Sequence, residues 1–220
     1  MLMNNNPTLI VENIHKSFGD IKVLKGVSLK AHQGDVIALI GSSGSGKSTL
    51  LHILGTLDSA DSGEVRMNQV LLQSLSGKKM AAFRNKHIGF VFQEMRLRAG
   101  ASAVENVMDP MLYLGFGTPR TRYSHAKSML GLFGLQDRDI ERPISCFSGG
   151  MQQRTGLARA LSIGPDLIIA DEPTAHVDDK LANAIYEDLK RSSAGRGITV
   201  VVATPTDEMA HQHAAPTHRF

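Results

Sequence analysis

A glycine-rich loop at residues 41–48 has the composition and spacing of a phosphate-binding site. Its sequence, Gly-Ser-Ser-Gly-Ser-Gly-Lys-Ser, matches the pattern G-x-x-x-x-G-K-[ST] in full. Glycines let the backbone curl so that successive N–H groups face a phosphate, and a following helix adds positive potential at its N-terminus. Lys47 would reach the β- and γ-phosphates, and the Ser48 hydroxyl would bind Mg²⁺. The predicted nucleoside triphosphate contacts are Gly41, Ser42, Ser43, Gly44, Ser45, Gly46, Lys47, Ser48 and Thr49.

Two adjacent carboxylates, Asp171 and Glu172, directly follow the apolar run at residues 167–170. The carboxyl ends of parallel strands share one edge of a sheet, so these acids can face the same nucleotide as the glycine-rich loop. We expect Asp171 to hold Mg²⁺ and Glu172 to orient or deprotonate the attacking water. Taken alone, the pair would be an ordinary strand end or helix cap. Together with the loop, it predicts triphosphate hydrolysis.

The elements that must position these residues are visible as hydrophobic patterns. Half-buried antiparallel strands are expected near the N-terminus, and apolar runs indicate strands buried on both faces of a parallel sheet. Strands are predicted at residues 8–12, 27–30, 35–40, 65–70, 87–92, 166–170 and 197–202, and helices at 47–54 and 179–191. Residues 94–161 are expected to be mostly helical, with breaks at 115–119 and 142–143. This order predicts an α/β nucleotide-binding core with an inserted helical lobe.

Composition excludes several other classes of protein. The chain has 220 residues, of which 42 % are hydrophobic and 20 % charged, so it can bury a core and is not expected to be disordered. A net charge of +3 is too small to indicate a nucleic-acid partner. The one cysteine, Cys146, excludes an internal disulfide. With no run of eighteen apolar residues and no secretory signal, we expect a chain that works in the cytoplasm.

The segment Phe-Ser-Gly-Gly-Met-Gln-Gln-Arg at residues 147–154 resembles the signature motif of ABC-type ATPases. That family usually has leucine where this chain has Phe147. The resemblance covers nearly the whole chain and implies a P-loop NTPase (RecA-like) α/β core with an N-terminal antiparallel β subdomain and an inserted helical lobe. It further implies one domain over residues 1–220, with the nucleotide-binding core at 1–93 and 162–220 and the helical signature lobe at 94–161.

Further site residues follow from the resemblance alone. Phe18 is similar to the aromatic residue that stacks on adenine, although a buried core phenylalanine is the alternative. Gln93 is similar to the Q-loop glutamine, which touches Mg²⁺ and the attacking water, and Asp178 is similar to the D-loop aspartate. The signature residues would cap the γ-phosphate held by a facing subunit in an ATP-bound head-to-tail dimer, which is either a homodimer or a pair with another ATPase subunit. These residues are Ser148, Gly149 and Gly150.

Three stretches, residues 51–63, 83–93 and 105–110, most resemble the lipoprotein-releasing and macrolide-export branch. That branch implies ATP and Mg²⁺ as ligands, a separate integral membrane permease as partner, and a peripheral position on the cytoplasmic face of the inner membrane. A polar amino-acid importer is the alternative substrate class. DNA-repair ATPases are excluded because residues 94–147 contain no heptad repeats. A phosphate-loop kinase or GTPase would have no use for the signature segment.

The family pattern is interrupted at Pro205, where relatives have the switch histidine that contacts the γ-phosphate. Proline has neither a ring N–H nor a backbone N–H, and His211 and His213 lie too far along the chain to substitute. Two functions therefore stay open: a transport ATPase that relies on Gln93 and Glu172, and an ATP-binding regulatory or structural module that hydrolyses weakly.

Residues 95–123 are a candidate docking surface for the membrane partner, with a solvated basic face as the alternative. The arginines on which this expectation depends are Arg96, Arg98, Arg120 and Arg122.

Overall fold

The computed structural model describes residues 7–174, 179–204 and 217–220. In these ranges two β-sheets and a group of helices form the fold. The strands are β1 (Leu9–Phe18), β2 (Ile21–Ala31), β3 (Val36–Ile40), β4 (Ser62–Met67), β5 (Val70–Leu71), β6 (Ile88–Val91), β7 (Leu167–Asp171), β8 (Thr199–Thr204) and β9 (Thr217–Arg219). The helices are α1 (Lys47–Leu54), α2 (Gly77–His87), α3 (Ala103–Tyr113), α4 (Pro119–Leu132), α5 (Gly149–Leu161) and α6 (Asp179–Arg196).

The first sheet is antiparallel, with strand order β2-β1-β4-β5. Apolar residues recur on one face of β1, where Leu9, Val11 and Ile14 are buried, and the other face is largely open. This one-sided burial is the arrangement that a mixed apolar and polar sequence favours in an antiparallel sheet. The predicted antiparallel subdomain is confirmed.

The second sheet is parallel, with strand order β6-β7-β8-β3-β9. Every residue of β3 and β8 is buried, because the sheet is covered on both faces. Alternate residues therefore belong to two separate cores. On β3, Ala38 packs with helices α3 to α6, whereas Leu39 packs with α1 and the antiparallel sheet. The predicted α/β class is confirmed.

The helices between β6 and β7 begin at residues that cap their free N–H groups. Ser102 and Glu105 form a capping box at the start of α3, and Thr118 caps α4 immediately before Pro119. The break expected at residues 115–119 falls between α3 and α4 except for Pro119, which begins α4, and the break at 142–143 falls between α4 and α5. The division into a core and a lobe at residues 94–161 stays a prediction.

One strand prediction is wrong in part, and one helix was not predicted. The run at residues 65–70 does not continue as one strand, because Asn68 (φ 47°) and Gln69 (φ 67°) form a left-handed turn between β4 and β5. Helix α2 has no buried residue and therefore no apolar stripe that would reveal it. In the described part of the chain, no helix is both long and apolar enough to cross a membrane.

Asn106 supports the segment that follows β6, and its removal should destabilise the fold. The side chain is fully buried; it accepts from the backbone N–H of Arg98 (2.8 Å) and donates to the carbonyls of Arg98 (3.2 Å) and Ser102 (2.9 Å). Asn106→Ala leaves these backbone groups without partners, so we expect the free energy of unfolding to fall by about 2 kcal/mol. Urea unfolding followed by circular dichroism measures it. Asn85→Ala, on exposed α2, should change stability by less than about 0.5 kcal/mol; equal losses would contradict the prediction.

Candidate nucleotide site

The glycine-rich loop connects β3 to α1 and takes a conformation that requires glycine at its last turn. Gly46, the N-cap of α1, has φ 104°. A Cβ at this position would lie 3.0 Å from side-chain carbons of Leu24 and Val23. Both the positive φ and the close packing exclude a larger residue. The loop is thereby held against the antiparallel sheet, and its N–H groups precede the N-terminus of α1, where an anion is favoured.

Lys47 places a positive charge inside this loop. Its side chain is only 4 % exposed, and its ammonium donates to the carbonyls of Gly41 (2.8 Å) and Ser42 (3.0 Å). The same nitrogen lies 3.8 Å from Oε1 of Glu172. The lysine therefore holds the loop in its curled conformation, and its charge faces the carboxylate at the end of β7. A bound phosphate would compete with that carboxylate for the ammonium.

Two hard oxygen ligands meet beside the lysine. The Ser48 hydroxyl donates to Oδ1 of Asp171 at 3.1 Å, which brings together residues 123 positions apart. A hydroxyl and a carboxylate that converge in this way fit Mg²⁺, which prefers oxygen ligands and keeps several waters. In the described residues, the buried Ser45 hydroxyl has no hydrogen-bond partner. A phosphate oxygen in the loop would supply one.

Glu172 adopts an uncommon backbone conformation. Its φ is 43°, a region that costs a residue with a Cβ about 1–2 kcal/mol. The backbone N–H of Glu172 donates to the carbonyl of Ala203 at 3.2 Å, which holds the residue against the end of β8. Together these features turn the chain sharply after Asp171 and bring the carboxylate near Lys47. The geometry fits the predicted role as base.

Gln93 lies at the same edge of the sheet as the two acids. It follows β6, which pairs with β7 through Val91 and Ala170. Its exposed side chain lines a cleft of about 330 Å³. The cleft is also lined by Gly149 and Gln152 of α5, the helix that begins in the signature motif. The structure thus places Gln93 between the parallel sheet and α5.

Arg159 connects the segment after Gln93 to helix α5, a contact that was not predicted. Its guanidinium donates to the carbonyls of Met95 (2.6 Å) and Arg96 (2.9 Å). Burial lowers the pKa of Arg159, an effect that the charge of Asp109 opposes. Since both acceptors are backbone groups, motif spacing could not have identified this contact. The two hydrogen bonds join α5 to the residues that follow Gln93.

Phe18 ends β1 with its ring 52 % exposed, which contradicts the alternative of a buried core phenylalanine. It pairs with Ile21 at the turn end of the β1–β2 hairpin, where the exposed ring can stack on a planar ligand. The ammonium of Lys16 lies 5.2 Å from the ring centroid.

Ser148 caps helix α5, as expected, by accepting from the N–H of Met151 at 3.3 Å. Ser148 and Gly149 are exposed, and Gly150 is half-buried. Phe147 is buried, so the departure from leucine replaces one apolar core side chain with another. The N-terminus of α5 is therefore open to a ligand or a second subunit.

Two predicted positions, Asp178 and Pro205, lie outside the described residues, as do His211 and His213. The structure adds β9, which pairs with β3 and was not predicted because three residues show no periodicity. Its neighbour Phe220 donates from its backbone N–H to the carbonyl of Ile40 (2.8 Å), beside the start of the loop.

The loop, the paired acids and the capped signature helix on this sheet define an ATP-binding cassette. A family model described as ABC transporter matches residues 24–175. The chain is 42 % identical over 210 residues to the lipoprotein-releasing system ATP-binding protein LolD of Pseudoalteromonas translucida, a match that covers 94 % of this chain and 90 % of the relative. The LolD protein of Geobacter metallireducens is also 42 % identical, over 206 residues that cover 92 % of this chain and 91 % of the relative. The chain belongs to the ABC transporter family and is an ATP-binding ATPase of that family.

Solved structures agree with this assignment. The bacterial ABC transporter cassette MJ0796, solved as a dimer, is 33 % identical with a TM-score of 0.88, and the match covers 96 % of this chain and 94 % of that one. The same cassette is known in a dimeric post-hydrolysis state bound to ADP and Pi. The cbiO1 protein of Clostridium perfringens, part of an ABC transporter complex, matches with a TM-score of 0.86 and 26 % identity over 98 % of this chain and 85 % of that one. The predicted family and fold are confirmed.

Loss of the Lys47 charge should weaken ATP binding. Lys47→Met keeps the length of the side chain but removes the ammonium that would contact phosphate. We expect the Kd for ATP to rise about tenfold or more, the size of one or two charge-assisted hydrogen bonds. Because the chain contains no tryptophan, isothermal titration calorimetry is the suitable measurement. Lys79→Met, on exposed α2, is the matched control. Equal affinity of Lys47→Met and the control would contradict the role of Lys47.

Proposed function

We propose that this chain is the ATPase subunit of a lipoprotein-releasing transporter, bound to the cytoplasmic face of the inner membrane through a separate integral membrane permease. The observation that carries the enzymatic part is the convergence of Lys47, Ser48, Asp171 and Glu172 at one edge of the parallel sheet. The lipoprotein assignment is supported by LolD relatives at about the same length and 42 % identity. Export by the related macrolide branch and polar amino-acid import are the competing substrate classes.

The glycine-rich loop would bind the triphosphate of ATP by neutralising its negative charge. Lys47 contacts the β- and γ-phosphate oxygens, and the loop N–H groups and Ser45 hydroxyl supply further donors. Ser48 and Asp171 would hold Mg²⁺, the latter through water, with Gln93 as a further ligand. When bound, the ion neutralises charge that develops on the transferring phosphoryl group. Phe18 would stack on the adenine, and Thr49 lies at the start of α1 below the phosphates.

Glu172 is the proposed base. Its carboxylate orients a water molecule and accepts its proton as the water oxygen bonds to the γ-phosphorus, while the bond from that phosphorus to the β–γ bridging oxygen breaks. The products are ADP and inorganic phosphate. In the structure the Lys47 ammonium lies 3.8 Å from Oε1 of this carboxylate, so the base and the phosphate-binding lysine face the same space.

The signature residues would serve a second subunit. Ser148, Gly149 and Gly150 begin a helix whose N-terminus is exposed, a favourable place for an anion. We propose that they cap the γ-phosphate held by a facing copy of the chain in a head-to-tail dimer, with Asp178 at the same interface. Dimeric structures of MJ0796 support this arrangement.

A groove between the parallel sheet and the proposed lobe would receive the permease. It has a volume of about 350 Å³, and its lining includes Leu57, Phe90, Phe92, Tyr113 and Ile163, together with Arg84 and Arg96. Tyr113 is 82 % exposed, and the neighbouring Leu112 and Phe116 are also exposed. The lining fits a cytoplasmic segment of the permease that carries apolar side chains and an acidic residue.

Three of the four arginines expected at the docking surface divide into two groups, and the fourth, Arg120, is exposed on α4. Arg98 forms hydrogen bonds of 2.8 and 2.9 Å with both carboxylate oxygens of Asp109, and Arg122 donates to the carbonyls of Phe116 and Gly117. These two stabilise the lobe itself. Arg96 stacks over Phe92, 4.3 Å from the ring centroid, at the edge of the groove, and is the better candidate for contact with a partner.

The second candidate function is an ATP-binding module with weak hydrolysis, favoured by Pro205. A proline cannot donate a hydrogen bond to the γ-phosphate. The other catalytic groups are intact, and removal of one group commonly leaves substantial rate above background. We therefore favour an active ATPase of reduced turnover.

Glu172→Gln tests the enzymatic proposal. The amide keeps the shape of the carboxylate but cannot accept the proton, so steady-state ATP turnover should fall at least about a hundredfold. Unhydrolysed ATP should then trap the dimer, which size-exclusion chromatography with light scattering detects. Glu64→Gln, on β4, should behave like the wild type. A monomeric Glu172→Gln protein with ATP bound would contradict the dimer, and near-zero turnover of the wild type with its permease would favour the weak-hydrolysis module.

Tyr113→Asp tests the docking groove. A negative charge beside apolar side chains should prevent burial of the permease segment, so co-purification of the two proteins from detergent should fall about tenfold. Leu132→Asp is the control, because Leu132 is 59 % exposed at the end of α4 and does not line the groove. If both variants retain the permease equally, this groove is not the docking site.

A further inference from the structure

Lys16 is a nearly buried cation that no part of the family resemblance explains. Its side chain is only 10 % exposed, although it lies on β1 two residues before the exposed Phe18. Lysine loses rotamer freedom and hydration when it is buried, so such a position requires strong partners. In the described part of the chain, the hydrogen-bond and ion-pair partners of the Lys16 ammonium lie in one segment, residues 58–61.

Three oxygen atoms of that segment surround the ammonium. Lys16 donates to Oδ1 of Asp58 (3.1 Å) and to the carbonyl of Ser59 (2.7 Å), and Oδ1 of Asp61 lies 3.9 Å away. The N–H of Ser59 and then Lys16 hold the pKa of the Asp58 carboxyl below its usual range, so this partner is ionised at neutral pH. The ammonium is therefore fixed by a charged acceptor and a backbone carbonyl.

The same segment is attached to the phosphate-binding helix. The N–H groups of Leu57 and Asp58 donate to the carbonyl of His52 on α1, at 2.8 and 3.2 Å. Helix α1 begins at Lys47, at the end of the glycine-rich loop. Asp61 completes the connection: its carboxylate accepts from the N–H of Ser17 at 2.7 Å, and its own N–H donates to the carbonyl of His15 at 2.9 Å.

Phe18 is the residue that this arrangement orients. The Lys16 ammonium covers one face of its ring at 5.2 Å from the centroid, a distance at which the cation attracts the ring. Phe18 as a whole is half exposed, so the ring keeps surface on which a planar group can stack. A ring held in one orientation before binding loses less entropy when a base stacks on it.

We propose that Lys16 is a positioning residue for binding of the nucleotide base. Lys16 holds the Phe18 ring as a stacking surface at a set distance from the phosphate loop. This inference rests on the proposed ATP site, and in particular on adenine stacking against Phe18. Lys16 itself does not contact the nucleotide in this proposal. It acts through Phe18 and through the segment that joins β1 to α1.

A double-mutant cycle tests the proposal, with Lys16→Met, Phe18→Ala and the double variant. Affinities for Mg·ATP and for magnesium tripolyphosphate, which has no base, are measured by isothermal titration calorimetry, and KM and kcat by ATPase assay. Phe18→Ala should raise the Kd for ATP about ten- to hundredfold, the contribution of one stacked base. Lys16→Met should raise Kd and KM about three- to tenfold, with kcat and tripolyphosphate affinity unchanged.

The double variant should bind ATP no more weakly than Phe18→Ala alone, because Lys16 acts only through the ring. Lys30→Met, at an exposed position on β2, should match the wild type. Additive losses in the double variant, or equal losses of ATP and tripolyphosphate affinity in Lys16→Met, would show a general structural role and overturn the inference. If Phe18→Ala itself leaves ATP affinity unchanged, adenine stacking on Phe18 is refuted and the inference with it. Weak affinity of the wild type for both ligands would instead refute the ATP site.

Discussion

The parallel register of β3, β8 and β7 is the constraint on which the nucleotide site depends. Ile40 pairs with Thr204 and Ala203 pairs with Asp171, so the strands that carry the phosphate loop and the two acids end at one level. In that register the Ser48 hydroxyl lies 3.1 Å from Oδ1 of Asp171. A slip of one residue would turn alternate side chains to the opposite core, and the burial of both faces makes such a slip costly.

Electrostatics around the site is organised by two lysines of low exposure. Lys47 stabilises the curled loop through two carbonyls and faces Glu172. Lys16 joins β1 to the segment that follows α1. Each is satisfied by backbone oxygens as well as by a carboxylate, so neither charge is buried without compensation. In the proposed function, one lysine neutralises phosphate and the other orients the surface for the base.

The core strands and the phosphate loop could be predicted because their signals are local. Strands β3 and β8 are buried throughout and mostly apolar since both faces are covered, and the loop and acids lie within short motifs. Helix α2 could not be predicted, because it buries no residue and has no apolar stripe. The contact of Lys16 with Asp58 spans 42 positions, and that of Arg159 with Met95 spans 64. Pairings of this kind depend on tertiary packing, which no local pattern encodes.

The position of Phe220 determines where the protein can be tagged. The backbone of Phe220 is bonded to Ile40, and a Cβ on Gly41 would lie 3.0 Å from its side chain, so any extension after this residue starts beside the phosphate loop. Pro7, at the other end of the described chain, lies near Asp166 and Gly197, which precede β7 and β8 and therefore mark the opposite edge of the parallel sheet. An affinity tag or fluorescent protein fused on the Pro7 side therefore joins the described chain at the edge of the sheet away from the phosphate loop.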